Sequence, residues 1–287
     1  MSMIGKTVLV TGSSSGIGFE TAKALAQQGA EVILAARSEE KLKQAVAAIK
    51  AATGNDKLKY YTAEFSSQKS VRELAAKIKK DYTKLDVLVN NAGAVFPGFA
   101  LSEDGLEMTI ATNHFAYFLL TNLLLDLLKK PDSARIVNVA SDSHYQGKID
   151  FESFKKEKSF FIMKAYGQSK LANVLFTAEL AERLQGTRVT ANSLHPGFVK
   201  TDIGNKSLNT SFGKWVMRVW SLATAIGAIS VVDGAKTSVY LASSSAVNGV
   251  TGKYFNKCKP KEEAKLAKDK NLQKELWRVS EQLCPLA

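Results

Sequence analysis

Short β-rich runs alternate along this chain with longer stretches of helical pattern, and that alternation restricts its fold more than any other feature. Thr7–Val10, Val32–Ala36, Lys59–Ala63, Val87–Asn90, Arg135–Ala140 and Arg188–Ser193 read as buried strands, with Gly252–Phe255 as the last. Several are apolar at nearly every position, which suits a strand covered on both faces rather than one with a wet side. Ile17–Gln28, Glu39–Ala52, Ser70–Asp81, Leu106–Lys129 and Met163–Leu184 carry helical spacing. Strand–helix alternation with right-handed crossovers predicts an α/β fold, a single doubly wound parallel sheet of about seven strands with helices on both faces.

A chain of 287 residues fits one such domain, 1–287, with no repeat and no low-complexity linker to divide it. Two irregular segments, Ser143–Ile162 and Lys200–Val232, break the alternation. Both follow strands at the edge where ligands bind such sheets. They are expected to face the substrate, with 200–232 as a loop or lid and 256–287 as a helical tail.

The net charge is +12, which admits nucleic acid, a membrane surface or an anionic ligand as partner. No nucleic-acid motif and no basic–aromatic interleaving accompanies the charge, so nucleic acid is not expected. Part of the excess lies in Lys257–Lys274, where Lys alternates with Glu and Ala. That stretch reads as a solvated helix, the alternative being attraction for anionic lipid or a phosphorylated cofactor. Cys258 and Cys284 belong to no CxxC pair or spaced metal set, so reduced thiols are expected. His114, His144 and His195 are the only histidines and form no HExxH pattern, so no bound metal is expected. No secretory signal is read before Lys6, and no uninterrupted apolar run reaches the ~20 residues of a membrane span. A cytoplasmic location is expected, with peripheral membrane association as the alternative. Trp215–Val232, interrupted by Arg218, reads as an amphipathic lid or a shallow membrane contact.

The first strand runs into Thr11-Gly12-Ser13-Ser14-Ser15-Gly16-Ile17-Gly18 and then a helix. Glycines there let the backbone turn sharply and approach a pyrophosphate, and the helix N-terminus presents free N–H groups. The spacing is GxxxGxG rather than GxGxxG, and a tight turn without ligand is the plain alternative. The second strand ends at Ala35-Ala36-Arg37. A site for NAD places an acidic residue near this position to bind the ribose 2′-hydroxyl, whereas a guanidinium pairs with a 2′-phosphate. Arg37 therefore points to NADP(H), with Lys41 and Lys43 adding positive field. The alternative is a surface arginine at the start of the next helix.

Tyr166-Gly167-Gln168-Ser169-Lys170 lies in a helical run, so Tyr166 and Lys170 share a face and can point into one pocket. A tyrosine titrating near 10 serves as acid or base at neutral pH only if its phenolate is stabilised, and a nearby ammonium can do this. The pair alone is a common coincidence of a core tyrosine and a solvated lysine. It is accompanied by Ser141, at the end of a strand, where a hydroxyl can donate to a carbonyl oxygen as charge develops. Asn113, in the helix after Asn90-Asn91-Ala92-Gly93, can hold a relay water or satisfy backbone groups.

Taken together these motifs resemble the short-chain dehydrogenase/reductase family, over at least Lys6 to Phe255. The resemblance implies a Rossmann-type fold, with Tyr166 as general acid in reduction and base in oxidation. It implies that Lys170 lowers the Tyr166 pKa and holds the nicotinamide ribose, that Ser141 polarises the carbonyl, and that Asn113 orders a water. Gly12, Ser14, Ser15, Ile17 and Gly18 would cradle the pyrophosphate. Glu64 and Phe65, where the family commonly carries Asp-Leu, would lie beside the adenine. Asn91, Ala92 and Gly93 would line the adenosine ribose, and Pro196, Gly197, Val199 and Thr201 would border the nicotinamide. His195 would be structural.

Ala111-Thr112-Asn113-His114, Ser169-Lys170-Leu171-Ala172-Asn173, Gly252-Lys253-Tyr254-Phe255 and Leu276-Trp277 are similar to the retinol-dehydrogenase-like subgroup. Membrane-bound members often carry an N-terminal anchor that this sequence does not show, which shifts the expectation away from a membrane location and from retinoids. The expected activity is an NADP(H)-dependent carbonyl reductase or alcohol dehydrogenase acting on a lipophilic aldehyde, ketone or alcohol, with a non-catalytic dinucleotide sensor or scaffold as the alternative. Val95, Phe96, Ser143–Phe161 and Phe198–Trp220 would line the substrate pocket, Ser141 and Tyr166 its reactive end. Related proteins pair through two long helices, here Leu106–Lys129 and Met163–Leu184, so a monomer or homodimer is expected, the tail being long enough to cover that surface.

Overall fold

The computed structural model describes residues 2–157, 160–198 and 229–286. Eight strands in those residues make one sheet: β1 (Thr7–Thr11), β2 (Glu31–Ala36), β3 (Leu58–Thr62), β4 (Val87–Asn90), β5 (Ala134–Val139), β6 (Val189–His195), β7 (Tyr254–Asn256) and β8 (Lys259–Pro260). Their spatial order is β3-β2-β1-β4-β5-β6-β7-β8. The first seven run parallel, and β8 turns back antiparallel on β7. The order reverses beside β1, which pairs with β2 on one side and β4 on the other. The crevice at that reversal is where doubly wound sheets bind ligands.

Between the strands lie α1 (Gly16–Gln27), α2 (Glu39–Thr53), α3 (Gln68–Asp81), α4 (Met108–Ile110), α5 (Ala116–Leu123), α6 (Leu125–Leu128), α7 (Ile162–Arg183), α8 (Val231–Ser243) and α9 (Lys270–Leu283). Alternate strand positions serve two cores. Val8, Val10, Val32, Leu34, Val87, Val89 and Val137 face α1, α2 and α8. Leu9, Ile33, Leu88, Ile136 and Ala191 face α3, α5, α7 and α9. This double coverage is why the strands are apolar at nearly every position. Local signals stop the elements where expected. Ser38 accepts the Lys41 N–H, Glu39 and Glu40 occupy the first turn of α2, and Gly54 ends it at φ 67°.

Three expectations change. The helical pattern Leu106–Lys129 is not one helix. Leu101 and Glu107 form an isolated bridge, and the buried Glu107 carboxylate then accepts the Thr109 and Ile110 N–H groups at 2.8 and 2.9 Å to start α4. The helix next widens into a π turn over Ala111–Phe115 and breaks again between α5 and α6. The sheet also gains β8, too short and too exposed to carry an apolar signal. Finally, the Lys257–Lys274 stretch is not a solvated helix. It makes β8, a 3₁₀ turn at Lys265–Lys268 and the start of α9.

α9 docks through one face. Leu276 and Trp277 are buried, and the Trp277 ring stacks 5.8 Å from Phe176 and meets Phe118 edge-on at 5.0 Å. The Arg183 guanidinium covers the indole at 4.2 Å, and the buried Ser280 hydroxyl lies 2.9 Å from His114 Nε2. The charges of the tail thus occupy the wet side of an amphipathic helix. Trp277→Ala is expected to destabilise the fold by about 3–5 kcal/mol, as for other buried aromatics cut to alanine. Urea denaturation measures it, and a loss under about 1 kcal/mol would mean that the tail is not docked in solution.

Candidate active site

The chain after each of the first six strands contributes to one edge of the sheet: the glycine loop after β1, Arg37 after β2, Glu64 and Phe65 after β3, Asn91–Gly93 after β4, Ser141 after β5 and Pro196-Gly197 after β6. Helix α7 lies across this edge and brings Tyr166 and Lys170.

The glycine loop is built for close approach. Gly12 sits at φ 65°, and a Cβ there would come within 2.7 Å of Ala92 Cα. A Cβ on Gly18 would overlap the Gly12 carbonyl and the Asn91 amide. Gly12 and Gly18 therefore pack the loop against β4 and α1. Gly16, at φ 60° with open space before it, is the residue that turns the chain into α1, and it was not among the expected site residues. Ser15 precedes α1 without a side-chain cap, and no acidic residue occupies the first turn. By contrast α2, α3, α8 and α9 each begin with a serine or aspartate that bonds their own N–H groups. An uncapped helix start at the mouth of the sheet crevice fits a pyrophosphate. Ser14 and Ile17 flank it, Ile17 being buried and Ser14 half-buried.

Arg37 is two-thirds exposed, and its guanidinium lies 3.6 Å from Glu64 Oε2. The other Glu64 oxygen accepts from the Ser66 backbone and hydroxyl at 3.0 and 2.9 Å, so this carboxylate is anchored beside the arginine. Phe65 turns its ring into the core under α3, which leaves only its backbone for an adenine contact. Asn91 Nδ2 donates to the Thr11 carbonyl at 2.8 Å, and the Asn91 and Ala92 N–H groups both donate to Thr11 Oγ1 at 2.9 Å. Thr11 thereby ties β1 to the end of β4, a role with no sequence signal.

Backbone contacts bring the candidate catalytic residues together. Ser141 opens a 3₁₀ turn, Asp142–Gln146, that lies on α7. A Cβ on Gly147 would overlap the Gly167 carbonyl, and one on Gly167 would reach the Ser143 carbonyl at 3.1 Å. Two glycines facing each other bring the Ser141 turn against the helix that carries Tyr166. Lys170 Nζ lies 5.5 Å from the Tyr166 ring centre and donates to the Val139 carbonyl at 3.0 Å. Asn113 sits in the π turn, a widening that often marks functional positions. Its amide accepts from Ala94 N–H at 2.8 Å and donates to the Ala94 carbonyl and to Ser169 Oγ at 3.0 Å each. Ser169 in turn donates to the Tyr166 carbonyl at 2.8 Å. Through these bonds the Asn113 side chain ties the loop after β4 to α7.

Burial dominates the electrostatics. It pushes the Tyr166 phenol above its ordinary range, with a hydrogen bond to Ser141 opposing the rise. It pulls Lys170 down to about 7. The ammonium expected to lower the phenol is here turned to the Val139 carbonyl, so the phenol stays protonated across neutral pH.

Of the residues expected to line a substrate pocket, Phe198 is exposed and meets His195 edge-on at 5.8 Å, and Phe96 is half-buried. A cleft lies beside α7, but Phe99, Glu107, Asp150, Ser153, Phe160 and Phe161 are among its lining residues, and Phe96, Phe198 and Tyr166 are not. Val199, Thr201 and the segments read as lid or membrane contact, 200–232 and Trp215–Val232, lie outside the described residues or nearly so, Ile229–Val232 alone being described. Among the described residues no helix is long and apolar enough to cross a membrane.

The family model for short chain dehydrogenases matches residues 6–211. Human retinol dehydrogenase 14 is 39% identical over 292 residues, covering 97% of this chain and 86% of its own. Mouse retinol dehydrogenase 13 is 41% identical over 288 residues, covering 99% and 85%. An uncharacterised protein from Mycobacterium paratuberculosis has a similar crystal structure, with TM-score 0.78, 32% identity and coverage of 99% and 94%. A provisionally described short chain dehydrogenase from Shigella flexneri, complexed with NADP, superposes with TM-score 0.68 at 26% identity, covering 90% and 98%.

Lys170 gives a pH signature. Between about pH 7 and lysine's ordinary ~10.4, the unfolded chain holds a proton that the folded chain has released, so stability rises with pH across that window. Denaturant titrations of the cofactor-free protein at pH 7 and pH 10 are expected to show this rise in the wild type and a smaller one in Lys170→Met. Equal slopes in the two proteins would mean that Lys170 titrates normally.

Proposed function

The chain belongs to the short chain dehydrogenase family, in its retinol-dehydrogenase-like subgroup, and on that premise we propose that it is an NADP(H)-dependent carbonyl reductase and alcohol dehydrogenase for lipophilic substrates. The observation that carries the reading is the convergence of Ser141, Tyr166 and Lys170 beside the uncapped start of α1. Gly12, Ser14, Ser15, Ile17 and Gly18 form the loop that would hold the pyrophosphate. Asn91, Ala92, Gly93, Glu64 and the backbone of Phe65 would flank the adenosine, and Pro196, Gly197, Val199 and Thr201 the nicotinamide. When bound, the dinucleotide would supply or accept the hydride at the substrate carbon.

The chain's own groups handle the proton. Tyr166, kept protonated by burial, donates to the carbonyl oxygen as it gains negative charge in reduction. Ser141 Oγ, next to the phenol, donates to the same oxygen and orients it. Lys170, which burial pulls down to about 7, would pair with the nicotinamide ribose hydroxyls and, in its protonated fraction, would help to lower the phenol. Asn113 fixes the distance between the loop after β4 and α7. Exposed Phe161 and Phe198 near this edge, and the retinol dehydrogenase relatives, support a lipophilic substrate. The reading is of a monomer, because α9 covers the face of α5 and α7 through which two copies would pair.

NADPH oxidation followed by absorbance, across aldehydes and ketones of increasing apolar size, tests the activity. Turnover is expected to rise with apolar size, and Tyr166→Phe is expected to lower kcat/KM by about 10²–10⁴. An unchanged Tyr166→Phe enzyme would sink the mechanism. The cofactor assignment rests on Arg37. A charge-assisted contact to a 2′-phosphate of about 1.5–3 kcal/mol corresponds to roughly 10–100-fold. NADPH is expected to be preferred over NADH by that factor, Arg37→Asp to reverse the preference, and Glu64→Gln to strengthen it by removing the carboxylate anchored beside the guanidinium. A wild type that prefers NADH overturns the assignment.

A further inference from the structure

Behind Ser141 lies a cluster of ionisable and aromatic groups that the proton chemistry above does not use: Asp142, His144, His195, Tyr254 and Lys261. It joins four separate parts of the chain, namely the 3₁₀ turn after β5, the end of β6, β7 and the segment after β8. We propose that the segment Tyr254–Ala264 is a working part of the active site, and that His144 is the positioning residue through which it holds Ser141. The proposal rests on the reading of Ser141 as a carbonyl-polarising group.

The geometry assigns the proton on each imidazole. His144 is fully buried, with Nδ1 2.7 Å from the Ser141 carbonyl oxygen. A carbonyl only accepts, so Nδ1 carries the hydrogen. His144 Nε2 lies 3.1 Å from the Ala264 backbone nitrogen, whose N–H only donates, so Nε2 carries the lone pair. Both ring nitrogens are therefore engaged in one neutral tautomer. His195, also buried, accepts the Asp142 backbone N–H on Nδ1 at 3.2 Å, which leaves its hydrogen on Nε2, 3.7 Å from Asp142 Oδ2.

The Ser141 carbonyl and the Asp142 N–H are the two ends of one peptide group. His144 holds its oxygen and His195 its nitrogen. A peptide plane gripped at both ends cannot rotate without losing both bonds, and its orientation sets where the Ser141 side chain points. The tail supplies the counterweight. Ala264 fixes His144 from behind, and Lys261 and the Tyr254 hydroxyl reach the Asp142 carboxylate at 3.0 and 2.8 Å. The His144 ring is wedged 4.1 Å from Tyr145 and 4.5 Å from Tyr254, and the Tyr145 hydroxyl donates to the Glu262 carbonyl. A displacement of about 1 Å at a reacting group can lower turnover about 10²-fold, so a clamp on this peptide reads directly in kcat.

Protonation of His144 would set a second N–H against the Ala264 N–H and open the clamp. The charged and titratable groups around the ring are Asp142 on its own turn, Lys261 and Glu263 from the tail, His195 from β6, and the Tyr145 and Tyr254 phenols. Burial keeps His144 below its ordinary range, so the clamp is closed at neutral pH.

Four proteins test the proposal: wild type, His144→Phe, His144→Gln and Ser141→Ala. Each is assayed with NADPH and the carbonyl that the wild type turns over fastest. His144→Phe keeps a ring and loses both hydrogen bonds. Its kcat is expected to fall about 10–100-fold, with the NADPH Kd, read by nucleotide fluorescence, within about twofold of wild type. His144→Gln, which offers an amide donor and acceptor, is expected to regain part of kcat and to lose less activity at acid pH than the wild type, whose His144 protonates there. The ¹⁵N shifts of the cofactor-free protein are expected to show His144 protonated on Nδ1 and His195 on Nε2. If Ser141→Ala turns over like the wild type, the reading of Ser141 itself fails. If Ser141→Ala is impaired while His144→Phe keeps its kcat, the clamp alone is overturned. A different His144 tautomer overturns it too, as does a His144→Phe loss that His144→Gln does not relieve.

Discussion

The structure depends on how β1 is paired. With β2 on one side and β4 on the other, both parallel, it becomes the line at which the sheet changes direction. Parallel pairing sends the carboxyl end of each of the first six strands to the same edge, so residues as far apart as Gly12, Asn91, Ser141 and Pro196 become neighbours of one crevice. The requirement is strict at the centre. Gly12 lies so close to Ala92 that no side chain fits between the end of β1 and the end of β4, and Thr11 bonds both N–H groups at the start of the next loop.

A second constraint brings the candidate catalytic side chains to that edge. The turn after Ser141 meets α7 backbone to backbone at Gly147 and Gly167, which sets the serine and the tyrosine against one another. The π turn at Asn113 holds the opposite side, with its amide satisfied by Ala94 and Ser169. Beneath the site a buried polar ladder joins strands to helices: Asn90 donates to Thr121 and Asn138, and Asn138 donates to Thr177. Polar groups this deep raise stability only when paired, and their pairing holds β4 and β5 in a single register against α5 and α7. Burial, rather than a neighbouring charge, governs the Tyr166 phenol.

The tail belongs to the same construction. Its lysines look outward, while Trp277, Leu276 and Ser280 close the surface of α5 and α7, and Ala264 reaches the histidine behind Ser141. A basic composition was compatible with a freely solvated helix, because charge counts do not report which face of a helix is buried.

The amino-acid sequence by itself determined the α/β class, the parallel sheet and the order of its elements, since apolar runs covered on both faces leave a local, periodic record. It also marked Ser141, Tyr166, Lys170 and Asn113 as candidates, because a strand end, a helix turn and a spacing of four residues are local facts. Only the tertiary structure decided the rest. The facing of Gly147 and Gly167, the grip of Thr11 on the end of β4, the anchoring of Glu64 beside Arg37 and the capture of one peptide by His144 and His195 all join residues far apart in the chain. The π turn at Asn113 and the docking of α9 were equally invisible, the first because one extra residue per turn hardly alters a helical period, the second because it depends on the surface that receives it. The Tyr166–Lys170 pair shows the division most plainly. Its four-residue spacing put both side chains on one helix face, but only the fold set the depth of burial that raises the phenol and lowers the lysine, and the Val139 carbonyl to which the lysine turns.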